Sequence, residues 1–188
     1  MHKNIIQIII GFLSLFVLTT KSTAQSKNEY VQILNKFEQW KSTQFKKGLY
    51  ATDKNCNPDT VTKEGYKGSE IGIPKDINIF FTDINEDDKN DAIIMFTPDQ
   101  CDGGNALMNA QTRVLILSSG AAYITDDAYI DKIESRLKKG WIRIEEATYG
   151  TFYGTYYEYK ETDGRCCPSI KRPFSIDYKS KKMEFIEK

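Results

Sequence analysis

Beyond Pro74 the apolar residues arrive in short runs, and those runs decide what this chain can fold into. Ile77 to Phe81, Ala92 to Phe96, Arg113 to Leu117 and Ala121 to Ile124 are each four or five residues long and are separated by polar or glycine-containing turns. Runs of that length suit strands and are too short for helices. Four such runs in succession, parted by turns, predict an antiparallel meander. Further on, Trp141 to Glu145 and the aromatic run Tyr149 to Tyr159 read as strands. A final hairpin has Phe174, Ile176 and Tyr178 alternating, a turn at Lys179 to Lys182, and Met183 and Phe185 alternating back. Two segments carry helical periodicity instead. Ser26-Lys27-Asn28-Glu29 has the form of a capping box and precedes Tyr30, Ile33, Leu34, Phe37 and Trp40, which predicts an N-terminal helix with that face in the core. A second helix is predicted from about Asp126 to Lys139, with Ile130, Ile133 and Leu137 on one side and Gly140 as its stop. The expected class is α+β, an antiparallel sheet with both helices over one face.

The first 24 residues stand apart. Lys3 precedes an apolar stretch from Ile5 to Leu18, and Ser22-Thr23-Ala24 places small residues before Gln25. That is the pattern of a secretory signal peptide, too short for a membrane span of about 20 apolar residues. The expectation is therefore a leader over residues 1–24 and a single domain over 25–188, secreted or periplasmic, with no membrane span left after cleavage. Removing the leader takes Lys3 and Lys21 and no acid, so 24 basic and 26 acidic side chains remain, a net charge near −2. No basic stripe points to nucleic acid. The one histidine, His2, leaves with the leader. Imidazole bases, His-dependent triads and His-ligated metals are excluded from the mature chain.

The four cysteines, Cys56, Cys101, Cys166 and Cys167, predict two disulfides in an oxidising compartment. Adjacent Cα atoms stand about 3.8 Å apart, below the usual disulfide range of roughly 4.4 to 6.8 Å, so Cys166 and Cys167 are expected to reach separate partners. Those partners are Cys56, in the polar stretch Ala51 to Gly72, and Cys101, in either order. Each bridge is worth about 2 to 4 kcal/mol.

The segment Asp83-Ile84-Asn85-Glu86-Asp87-Asp88-Lys89-Asn90-Asp91 lies between two predicted strands and holds five acids in nine residues. Oxygen side chains at positions 1, 3, 5 and 9, with a main-chain carbonyl at position 7, suit calcium. The expected ligands are Asp83, Asn85, Asp87, the Lys89 carbonyl and Asp91. The loop is not an EF-hand, because position 6 is Asp88 and position 12 is Ile94. It resembles the strand-flanked calcium loops of FG-GAP and VCBS repeats, which prefer glycine at position 6, and Asp tolerates the left-handed geometry such a turn needs.

Asp163-Gly164-Arg165-Cys166-Cys167-Pro168-Ser169, with the acidic loop and Thr97 to Asn105, resembles a pattern in uncharacterised bacterial secreted and envelope proteins. That resemblance implies compartment and disulfides and no mechanism. Ser135-Arg136-Leu137-Lys138 matches an S-x-x-K pattern, but no K-T-G accompanies it. The run Tyr149 to Tyr159 holds six aromatics in eleven positions. Only one face of such a strand can be buried against a core, which leaves Tyr153, Tyr157 and Tyr159 as a candidate partner surface. The expected function is a non-catalytic, calcium-binding, disulfide-stabilised module that binds a protein or glycan, in the manner of an inhibitor or immunity factor. The alternative is a carboxylate-based, histidine-free hydrolase of envelope glycans.

Overall fold

The structure, a computed structural model, describes residues 27–50, 71–100, 111–164 and 167–187. The leader, Cys56, Cys101 and Cys166 lie outside the described residues, as does most of the polar stretch Ala51 to Gly72. Helix α1 covers residues 27–46. Strands β1 (Ile71–Thr82), β2 (Asp91–Gln100), β3 (Thr112–Ser119) and β4 (Ala122–Asp126) follow. Then come helix α2 (Tyr129–Glu134) and strands β5 (Trp141–Thr148), β6 (Thr151–Glu158), β7 (Ile170–Asp177) and β8 (Met183–Phe185). The class is α+β.

The strands form two sheets where one was expected. Sheet A runs β1-β2-β3-β4 and sheet B runs β5-β6-β7-β8, each an antiparallel meander. Helix α2 separates the two meanders in the chain, and the C-terminal hairpin β7-β8 closes the second.

The helices, too, are placed differently from the expectation of a shared face. Along β2 the buried side chains alternate between two cores: Ala92, Ile94 and Phe96 meet Ile33, Phe37 and Trp40 of α1, whereas Ile93 and Met95 point the other way. β3 repeats this, with Val114 and Ile116 toward α1 and Leu115 and Leu117 opposite. The second core is completed by Tyr129, Ile130 and Ile133 of α2 and by Ile142, Ile144, Phe152, Phe174 and Ile176 of sheet B. The layers are therefore α1, sheet A and sheet B, with α2 turning only Tyr129, Ile130 and Ile133 into the core between the sheets. A strand buried on both faces needs an unbroken apolar run, and each large side chain so buried contributes roughly 1.5 to 3 kcal/mol.

On α1 the buried stripe is Glu29, Ile33, Phe37, Trp40 and Gln44. Tyr30 and Leu34, expected in the core, flank it and stay partly exposed, Tyr30 packing edge-on against Phe81 of β1. The two polar members of the stripe are bonded: Glu29 accepts from Asn90 Nδ2 at 2.7 Å, and Gln44, with Trp40 Nε1 at 2.7 Å, donates to Asp127.

Helix α2 is six residues long and ends well short of Lys139. Its acids explain why. Arg113, buried at the start of β3, donates at 2.6 Å to both Asp131 and Glu134 and at 3.1 Å to the Ile142 carbonyl. The other oxygen of Glu134 accepts from Ile142 N–H at 2.9 Å. With Glu134 fixed to β5, the chain tightens through bonds from Arg136 N to Ile133 O and from Leu137 N to Glu134 O, then turns at Gly140. Gln111 joins the two sheets in the same way. Its amide donates to Ile144 O and accepts from Ile144 N, both at 2.9 Å, so side chains take the place of a strand neighbour along this edge of β5. On β6, Gly154 sits under Phe174, and a Cβ there would stand 1.9 Å from the Arg143 carbonyl. Only glycine allows that approach.

Candidate functional site

The acidic loop joins β1 to β2, and its fold is written in carboxylate-to-amide bonds. Asp91, fully buried, accepts from Ile84 N at 2.9 Å, Asn85 N at 3.0 Å and Ser118 N at 2.6 Å. Burial raises its carboxyl above the usual range even though those three amides act in the opposite direction. Asp83 accepts from Asp87 N at 3.0 Å and Asp88 N at 2.8 Å. Asp87 accepts from Lys89 N at 3.1 Å and from the Ser118 hydroxyl. Glu86 and Asp88 take left-handed conformations, with φ of 61° and 64°, so the turn closes without glycine.

The loop is also where the sheets meet. Gly150, at the β5-β6 turn, donates to the Asp83 carbonyl at 3.0 Å and accepts from Tyr178 N at 2.9 Å. Its φ of 62° favours glycine. Lys179, from the β7-β8 turn, pairs with Glu86 at 2.5 Å.

The five expected calcium positions therefore fall on one loop, engaged chiefly with amides. A carboxylate oxygen has two lone pairs. The oxygens of Asp83 and Asp87 each use one, and Asp91 Oδ1 uses one. Asn85 donates its Nδ2 to the Ser118 carbonyl at 3.0 Å, which leaves its buried Oδ1 with no hydrogen-bond partner. The donor set is hard oxygen with acceptor capacity to spare, which fits calcium by chemistry. Lys89 turns its ammonium to the Gly120 carbonyl. Among the described residues no three acidic or cysteine side chains are gathered into a cage able to hold a metal by themselves.

The second candidate region is the outer face of sheet B. β6 buries Phe152, Gly154 and Tyr156 and turns Tyr153, Thr155 and Tyr157 outward. Tyr156 belongs to the inner side, its hydroxyl donating to the Lys139 carbonyl at 2.8 Å. Tyr157 lies opposite Trp141 on β5 and Lys171 on β7. The Trp141 and Tyr157 rings stack with centroids 5.6 Å apart and planes 15° apart, and Tyr159 lies 5.2 Å from Trp141 on its other side. The Lys171 ammonium is 5.6 Å from the Tyr157 centroid. Tyr153 stands further along, between Glu146 and Ser175.

Of the three tyrosines named from sequence, Tyr157 and Tyr159 come together and Tyr153 shares their face at a distance. Trp141 and Lys171 complete the group and were not expected there, and Arg143 lies further along the same face, opposite Thr155. The signal was present in Trp141-Ile142-Arg143-Ile144, whose period of two sets Trp141 and Arg143 opposite the buried isoleucines.

Cys167 is disulfide-bonded, and its partner lies outside the described residues. The loop that carries it is held by Asp163, whose carboxylate accepts from Lys160 N and Ser169 N, both at 2.8 Å. Ser135 and Lys138, the S-x-x-K pair, are both exposed beyond α2, the Ser135 hydroxyl donating to the Lys132 carbonyl. Among the described residues no helix is long and apolar enough to cross a membrane. Comparison with protein-family models, with curated proteins and with solved structures gives no match for this chain.

Proposed function

We propose that this protein is a non-catalytic binding module of the extracytoplasmic space, secreted or periplasmic, which docks a partner on the outer face of sheet B. The observation that carries this reading is the row Tyr157, Trp141 and Tyr159 on the side of sheet B away from the core, with Trp141 and Tyr157 half-buried and their ring planes within 15° of each other. Rigid aromatic side chains lose little entropy on binding and dominate many interfaces. A protein partner suits the row better than a glycan. Sugar rings lay C–H groups on aromatic faces, and here the Lys171 ammonium stands over the Tyr157 ring, 5.6 Å from its centroid.

In this reading the acidic loop takes one calcium ion through Asp83, Asn85, Asp87, the Lys89 carbonyl and Asp91. The ion stiffens the joint between the sheets without taking part in recognition. Disulfides from Cys166 and Cys167 to Cys56 and Cys101, in either order, fasten the chain, and peptide mapping without reduction tests that assignment. A hydrolase would need two carboxylates facing one cleft. The buried acids Glu29 and Asp91 are instead bound to Asn90 and to main-chain amides, which favours the binding reading.

The test is affinity capture from envelope extract with the mature wild-type chain and with a Trp141→Ala, Tyr157→Ser variant. The expected result is one stoichiometric protein retained by the wild type and lost by the variant at unchanged melting temperature. Equal retention by both, or capture of glycan alone, overturns the proposal.

A further inference from the structure

We draw no further inference here: the strongest candidate, the exposed apolar patch of Tyr30 and Leu34 on α1 beside Phe81 on the edge strand β1, carries nothing because nothing in the structure shows what covers it.

Discussion

Strands β2 and β6 both lie in the middle of a four-stranded meander, yet they spend their apolar residues in opposite ways. In β2 every side chain from Ala92 to Phe96 is buried, odd and even positions entering different cores. In β6 only alternate positions are buried, and Tyr153, Thr155 and Tyr157 are left outside. The contrast teaches where each sheet sits. An unbroken run belongs to a sheet covered on both faces, and an alternating run with large aromatics on its outer side belongs to a sheet with one face for something else. Sheet A lies between two cores, and sheet B keeps one face outside them.

The sharpest way to break the comparison is to truncate one aromatic on each sheet. Phe96→Ala, in the core under α1, should cost about 3 to 5 kcal/mol, whereas Tyr153→Ala on the outer face should cost less than about 1 kcal/mol, both read from denaturant melts. Similar losses at the two sites would remove the distinction between the two sheets. Asp91→Ala comes next. It leaves the amides of Ile84, Asn85 and Ser118 without an acceptor, and at about 1 to 3 kcal/mol for each donor left buried and unpaired the loss should reach about 3 kcal/mol. Hydrogen exchange at those three amides should rise first.

Calcium offers a smaller effect. With a dissociation constant on the order of 10⁻⁴ to 10⁻³ M, as in extracellular modules, calcium at ten times that value should stabilise by about 1.4 kcal/mol. Asp87→Ala should abolish the shift. Calorimetric titration without heat and an unchanged melting temperature would rule the ion out. The smallest effect lies in acid. Asp163 is held below the usual carboxyl range by the amides of Lys160 and Ser169. Its contribution is complete above the unfolded value of about 3.9 and is lost as pH falls through the lower folded value. Exchange at Ser169 N–H should therefore accelerate below about pH 4 while the sheet amides stay protected.

Much of this architecture was legible in the chain. The four strands of sheet A, the N-terminal helix and the final hairpin follow from runs and periods that local sequence dictates, and Asp88 forms its turn as the loop pattern required. Layering was harder to read. Nothing local says that β4 and β5 are not partners, because that depends on Arg113 drawing Asp131 and Glu134 of α2 toward β5, residues 18 to 21 positions apart in the chain. The same clamp shortened α2, whose sequence carries helical periodicity to Leu137. The double burial of β2 was readable in principle from Ala92-Ile93-Ile94-Met95-Phe96, since no half-exposed strand would carry five apolar residues in succession. For the candidate surface, Tyr157 and Tyr159 were found from composition, but Trp141 and Lys171 join them only through strand pairing across β5, β6 and β7, which a linear pattern does not contain.

The claim at the centre of this account is that a partner rests on sheet B and leaves sheet A alone. Hydroxyl-radical footprinting of the mature chain, free and saturated with its captured partner, tests it most directly. Protection confined to Trp141, Tyr157 and Tyr159, with Tyr30, Leu34 and Ile124 of the α1 and β4 surfaces unchanged, is the predicted result. Protection of Tyr30 and Leu34 with Trp141 as reactive as before would contradict it.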